Sequence, residues 1–307
     1  VTMRISTNQI QLRMLDNLQH GFGEYARLDR QISTQKRILQ PSDDPVGSVQ
    51  LLGLQKEQVA MAQYQKNIAN AKSQLSQGEL QLDTMTNMLM RLRELTQTAA
   101  NGSLSEGDRK AVASEVAIIK DGLLDLVNAR NESGSSLFSG SKVDETALVK
   151  VTDPKEPDFG GYRYKGDHLV REVGIAKGVT VGLNQTADQL FLQPDDFFKR
   201  LDSMVKAIND AAPDAIEQAR GMLGRSQTLQ DNISQAVSTI GARINLLDQI
   251  DESHAEKGVY SKEVSNQIES LDYAEAATRQ AHVLMALQVQ QQAFAKVNGL
   301  SLFNYMP

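Results

Sequence analysis

Cysteine is absent from this chain. That excludes a disulfide framework, a thiolate zinc site and a cysteine nucleophile together, and no bond depends on the redox state of the compartment. Tryptophan is absent as well, and aromatic residues make up only 5% of the 307 positions. A core drawn from Leu, Ile, Val, Ala and Met suits helix-on-helix packing better than a sandwich or a cofactor pocket. Positive charge is sparse and scattered in a chain of net charge −6. The densest basic pairs, Lys36–Arg37 and Arg91 with Arg93, build no stripe, so nucleic acid is not an expected partner. No apolar run approaches the ~18 to 20 residues a membrane span requires, so a membrane is not expected either. The opening Val1–Met14 is polar and has no basic stretch followed by an apolar one, which argues against a Sec signal. Composition alone points to the cytosol.

Proline is scarce too, and its placement divides the sequence. Of the seven prolines, none falls between Pro45 and Pro154, and none between Pro213 and Pro307. An internal proline costs a helix about 3 kcal/mol, so these stretches permit long uninterrupted helix. Eight of the 21 glycines fall between Gly134 and Gly182, with two further prolines. The middle is a different kind of structure from its flanks.

What is present in the flanks is heptad periodicity. A first helix is expected over Asn8–Leu39, where Met14, Leu18, Tyr25, Leu28 and Ile32 form an a/d seam with Phe22 at its edge. Pro41 forbids its continuation, while Pro45 suits the first position of the next helix with Asp44 as its N-cap. That second helix, Pro45–Ala99, carries the clearest signal. Leu54, Met61, Ile68, Leu75, Leu82 and Leu89 recur every seven residues, with Tyr64, Ala71, Gly78, Met85, Leu92 and Ala99 three positions on. At 1.5 Å per residue it would run roughly 80 Å, more than a small domain can bury, so it must lie along other long helices. Ser105 and Asp108 resemble a capping box opening a third helix that ends near Arg130. Further helices are expected from Pro194-Asp195-Asp196 to about Ala212 and from Pro213 onward. The latter keeps the seven-residue interval at Ile233, Ile240, Leu247 and Ile268. The last, about Asp272 to Val297, places Val283, Leu287, Phe294 and Val297 on one side, with Gln288 and Gln290–Gln292 largely on the other.

Between them, Leu148–Val151, Tyr162–Tyr164, Leu169–Val173 and Val179–Leu183 are short runs of β-formers separated by Gly, Asp and Pro. The expected fold class is therefore mainly α: a long antiparallel helical bundle or coiled coil from both chain ends with a small β insert domain. Three domains are expected: 3–42 plus 271–307, a terminal coiled-coil assembly domain; 43–142 plus 195–270, a long helical rod; and 143–194, the insert.

No catalytic, cofactor-binding or metal-binding set emerges. His20, His168, His254 and His282 lie in unrelated elements, and His254 reads as a polar interruption of a helix seam, since metal sites need several ligands at fixed spacing. Asp43–Asp44 and Asp195–Asp196 each sit at a helix start beside proline, where carboxylates satisfy free N–H groups, so capping is the reading preferred over general acid–base chemistry. Ser133–Lys142 looks superficially like a phosphate loop, but its glycines are one residue too far apart and Lys142 does not directly follow the glycine. It reads as a flexible turn. Met85, Met88 and Met90 read as seam filler.

Several stretches together resemble a known family. Met3-Arg-Ile-Ser-Thr-Asn8, Ile32-Ser-Thr-Gln-Lys-Arg-Ile38, Pro41-Ser-Asp-Asp-Pro-Val-Gly47, Leu137-Phe-Ser-Gly-Ser-Lys142, Gly241-Ala-Arg-Ile-Asn-Leu-Leu-Asp248, Asp272-Tyr-Ala-Glu-Ala276 and Leu300-Ser-Leu-Phe-Asn-Tyr305 are similar to the flagellar hook-associated proteins of the flagellin-like superfamily. The resemblance covers 3–142 and 195–307. Gln35 departs from it, because the family commonly has glycine there.

The resemblance implies a structural protein with no enzymatic activity and no cofactor, exported unfolded through the flagellar type III apparatus, which overturns the cytosolic reading. It implies a place in the extracellular flagellum joining hook to filament. The implied partners are another hook-associated protein, flagellin, copies of itself in a ring, and an export chaperone that binds the C-terminal region. Leu18, Tyr25, Ile32, Leu287 and Phe294 are the seam residues assigned to the assembly interface. The terminal helices lie beyond the main bundle, so their order is expected to depend on neighbouring subunits. A flagellin filament subunit shares this architecture, and a free-standing coiled-coil adhesin or signalling rod is the alternative from another class.

Overall fold

The structure, a computed structural model, describes the backbone of residues 7–303 except 132, and the side chains of 9–297 with the same exception. Met3–Ser6 and Asn304–Tyr305, on which the family resemblance partly rests, lie outside the described residues. Among the described residues six α-helices are formed: α1 Thr7–Thr34, α2 Pro45–Ala99, α3 Glu106–Val127, α4 Phe197–Asn209, α5 Ala215–Glu269 and α6 Tyr273–Phe303. Four strands, β1 Leu148–Lys150, β2 Tyr162–Tyr164, β3 Glu172–Ala176 and β4 Val179–Gly182, and a π-helical turn at Asp188–Leu192 complete the set. The expected class, mainly α with long helices and a small β insert, is what the structure has. Among the described residues no helix is long and apolar enough to cross a membrane. The chain divides into two compact units, one made of residues up to Ala60 and from Glu256 onward, the other of Met61–Ala255.

The second unit holds the main core. Both heptad rows of α2 point inward: Ile68, Leu75, Leu82 and Leu89 in one, Ala71, Met85, Leu92 and Ala99 in the other are all buried. Ile233, Ile240 and Leu247 of α5 join them in the same cluster. The two helices run antiparallel, since Arg93 donates to Gln227 at 2.6 Å while Lys72, further back along α2, pairs with Asp248, further along α5. Each fully buried Leu or Ile contributes roughly 1.5–3 kcal/mol, so this seam is the main stabiliser of the unit. The methionines divide: Met85 is buried, Met88 packs at the edge of the core and Met90 is exposed. The few aromatics are concentrated where α4 begins. There Phe191 stacks on Phe198 at 5.2 Å and Phe197 meets Phe198 edge-on at 5.5 Å.

Capping follows the expected chemistry except at Asp43, which serves the turn before α2, and at Asp195. Ser105 accepts from Asp108 N–H at the start of α3, and Asp196 accepts from Lys199 N–H at the start of α4. Asp195 is not a cap; it pairs with Arg200 and, at 2.8 Å, with the buried Arg225. Arg225 in turn donates to the carbonyls of Phe191, Gln193 and Asp195, tying the returning loop to α5. His254 fills its seam position, stacked on Tyr64 at 5.6 Å, with Nε2–H donating to Ile175 O at 2.7 Å.

The insert departs from expectation in detail. It forms two separate two-stranded antiparallel ribbons, β1–β2 and β3–β4. The third strand begins at Glu172 instead of Leu169, because the turn at Lys177–Gly178, with Gly178 at φ 76°, sets the β3–β4 register. The stretch Ser133–Lys142 is not a flexible turn throughout. Leu137, Phe138 and Ser139 are buried, Ser139 bridges Thr186, and Ser141 N–H donates to Asp167. Hydrophobic Leu137–Phe138 between small residues is core anchored by local hydrogen bonds. Glycine is required at 140, with φ 74°, since a β-carbon there would collide with the Asp167 carbonyl oxygen.

Candidate assembly interface

The first unit is built around α1 and α6. Counted strictly in fours and threes, the seam of α1 is Met14, Leu18, Gly21, Tyr25, Leu28 and Ile32; that of α6 is Ala276, Gln280, Val283, Leu287, Gln290, Phe294 and Val297. Every one of these positions is buried or half-buried. The helices pack on each other and run antiparallel: Gly21 abuts Leu287, and Gln280 Nε2 donates to Asp29 at 3.4 Å. A four-three spacing on both partners is the geometry of knobs-into-holes packing.

All five residues assigned from sequence therefore lie on the face that α1 and α6 turn to each other. Leu18 and Leu287 are buried, and Tyr25, Ile32 and Phe294 are half-buried. Burial expected from neighbouring subunits thus begins within the chain. Four seam members escaped sequence reading because they are small or polar: Gly21, Ala276, Gln280 and Gln290. The signal that finds them is the spacing alone. Gln290, assigned with its polar neighbours to the outer side, instead turns its Oε1 into the pair, where it is sealed without a donor. Phe22, taken as the seam edge, is 51% exposed.

Large apolar side chains stand exposed among the polar residues on the other faces of both helices: Leu12, Leu15 and Phe22 on α1, and Leu284, Met285 and Val289 on α6. The ends of the two long helices in the same unit continue this pattern, with Val46, Val49, Leu52 and Val59 on α2 and Val259 and Tyr260 on α5.

The turn from α1 into α2 is sewn to the α5–α6 junction. Helix α1 stops at Thr34 because Gln35 adopts φ 58°, the left-handed conformation that glycine takes freely. The Gln35 carbonyl then accepts from Leu271 N–H, Arg37 N–H donates to Glu269 O at 2.7 Å, and Lys36 pairs with Glu269. Gln31, buried, donates to Arg37 O at 2.6 Å. Asp43 accepts from Leu39 and Gln40 N–H, and Asp44 caps α2 through Gly47 N–H while Arg37 approaches at 3.1 Å. Burial works to raise the Asp43 pKa, but those two N–H groups with Arg27 and Arg30 outweigh it and hold the carboxyl below its usual range. The Gly47 N–H and Arg37 do the same for Asp44. Asp43 serves the turn and Asp44 the helix start, each with one oxygen on backbone N–H groups and the other on an arginine, Arg27 or Arg37. The 190 Å³ cleft beside them mixes arginines and carboxylates, and among the described residues no three potential ligands cluster to hold a metal.

A buried heptad pair that leaves large apolar side chains exposed on its outer faces, joined by polar stitching to long helices, is the anatomy of a subunit made for assembly. Residues 5–143 match the model of the bacterial flagellin N-terminal helical region. Flagellar hook-associated protein 3 of Escherichia coli K12 is 25% identical, the match covering 98% of this chain and 99% of that one. Its Salmonella typhimurium counterpart is 24% identical over the same shares. A solved structure described as a flagellar hook-associated protein from Vibrio parahaemolyticus is 34% identical, covers 74% of this chain and 100% of its own, and superposes with a TM-score of 0.69. The chain belongs to the family of flagellar hook-associated proteins. It is a structural component of the bacterial flagellum, exported to work outside the cell in association with other flagellar components.

Proposed function

We propose that the chain sits at the junction of hook and filament, between another hook-associated protein and flagellin, with copies of itself arranged in a ring, and that the α1–α6 pair makes those contacts. The observation that carries this reading is the set of exposed apolar side chains on the outer faces of α1 and α6. Large apolar side chains left in water on two adjacent helices mark a surface that another subunit covers. Leu18, Tyr25, Ile32, Leu287 and Phe294 serve the interface by holding the pair together so that Leu15, Phe22, Met285 and Val289 are presented as one surface. Before export, the chaperone takes the C-terminal region, where the apolar face of α6 suits a helix-in-groove partner.

The test is complementation of a deletion strain. Phe22→Glu and Val289→Glu change exposed positions and leave the seam alone. They should abolish swimming and release flagellin into the medium, whereas Ile118→Glu, at a still more exposed position in the second unit, should restore swimming. Normal swimming with both first-unit variants would overturn the reading.

A further inference from the structure

The β insert, the 130s loop and the two long helices of the second unit enclose a cavity of about 20 Å³, enough for one water-sized group. Its floor is apolar, formed by Leu75, Phe138 and Ile240, and its polar walls are Gln74, Asn131, Arg171, Asn184 and Gln185. No carboxylate lines it, although the chain carries 38 acidic residues against 32 basic ones. Arg171 Nε is sealed from solvent and has no acceptor. Neither Arg171 nor Arg243 makes an ion pair among the described residues; burial alone acts on each guanidinium and lowers its pKa. Both flank Asn184, whose Oδ1 accepts from Arg171 N–H at 2.7 Å and whose carbonyl lies 3.5 Å from Arg243 Nη1. Buried donors are almost always satisfied, so the water-sized space beside this sealed guanidinium N–H is a place suited to an acceptor oxygen.

The geometry points to a carboxylate-binding site at Arg171. One carboxylate oxygen occupies the cavity against Nε, and the other meets a terminal guanidinium nitrogen at the mouth, the paired contact that this group makes with carboxylates. The side-chain amides of Gln74, Asn131 and Gln185 line the same space and offer further donors, while the carboxyl carbon stays at the mouth between the two oxygens. The carboxylate is either a free small anion or an Asp or Glu side chain of a second copy of the chain.

The probe is acetate against chloride at matched ionic strength, read as the thermal unfolding midpoint of the full chain, with sedimentation in chloride over a range of protein concentrations. If the anion is free, acetate raises the midpoint above chloride and Arg171→Gln abolishes the difference. If a second copy supplies the group, the chain self-associates, acetate reverses the association and Arg171→Gln prevents it. Arg171→Lys, which keeps the charge but loses the fork, should weaken the acetate response about tenfold and serves if the glutamine variant does not fold. Equal responses to acetate and chloride with no Arg171-dependent association would overturn the proposal.

Discussion

Gly21 lies so close to Leu287 that a β-carbon on it would stand 2.7 Å from Leu287 Cδ2 and 3.2 Å from its Cγ. Leu287 is only 3% exposed, so its side chain has little room to swing aside. Two residues on, Gly23 has nothing within 4 Å of the same construction. The same substitution at the two sites therefore separates helix propensity from contact. Gly23→Ala should stabilise α1 by about 1 kcal/mol. Gly21→Ala should fall short of that by about 1–3 kcal/mol, the usual penalty of overpacking. Amide exchange of α1 and α6 in the two variants measures the difference, and equal protection would mean that the helices do not approach as closely as this.

Gln35 carries a second local test. Its φ of 58° costs a residue with a side chain roughly 1–2 kcal/mol relative to glycine. Gln35→Gly should accordingly stabilise the α1–α2 turn by about 1 kcal/mol, while Gln35→Ala should leave it nearly unchanged. The local readout is exchange at Leu271 N–H, which donates to the Gln35 carbonyl at 3.2 Å. Faster exchange in the glycine variant than in the native chain would contradict the assignment.

These two residues also mark where the sequence was legible. The long helices were readable because period and cap agree: Asp44 and Pro45 start α2, and Ile68, Leu75, Leu82 and Leu89 then repeat at a fixed interval along it. The α1–α6 seam was half legible, since Leu18 and Leu287 declare themselves by hydrophobicity while Gly21 and Gln290 occupy the same stripe without it. The Ser133–Lys142 stretch misled because its small polar residues look mobile, yet Asp167, 26 positions from Ser141, supplies the acceptor that orders it. No local pattern encodes a partner that distant. The split of the insert into two ribbons was hidden for the same reason, because strand pairing is decided between segments.

Asp202 gives the second unit a predictable pH profile. Lys120 approaches its Oδ1 at 2.7 Å and Lys150 its Oδ2 at 2.6 Å, while Tyr162 O–H donates at 3.3 Å. Burial works to raise the Asp202 pKa, but the two lysines outweigh it and hold the group below 3.8. A depressed carboxyl pKa contributes stability that is fully present above the unfolded value and is lost as pH falls through the folded one. Both lysine pKa values are raised above 10.5: for Lys120 the Asp202 contact overcomes burial, and for Lys150 that contact is the leading cause. Their contribution is present below 10.5 and fades as pH rises through the folded values. Asp202→Asn should cost about 2 kcal/mol at pH 7, less than a fully buried pair because the group keeps some solvent, and less again at pH 2, below the unfolded value. Urea unfolding at the two pH values measures it, and an equal loss at both would exclude the ionic origin.

The last prediction concerns order before assembly. The α1–α6 seam includes Gly21, Gln280 and a Gln290 whose Oε1 is sealed without a donor, so it buries less apolar area per turn than the α2 seam, while Phe22, Met285 and Val289 remain in water. Fixing each residue costs about 1–2 kcal/mol of backbone entropy, and a narrow seam offsets less of it than a wide one. In dilute free chain, the amides of α1 and α6 should exchange far faster than those around Leu82, Met85 and Leu89 of α2, with protection rising on incorporation into the flagellum. Leu287→Asp should remove what order the pair has, by about 3 kcal/mol or more, abolish swimming, and leave the unfolding of the second unit unchanged. Protection of α1 and α6 equal to that of α2 in the free chain would show that the pair is complete by itself, and the exposed faces would then have to bind their neighbours without any coupled ordering.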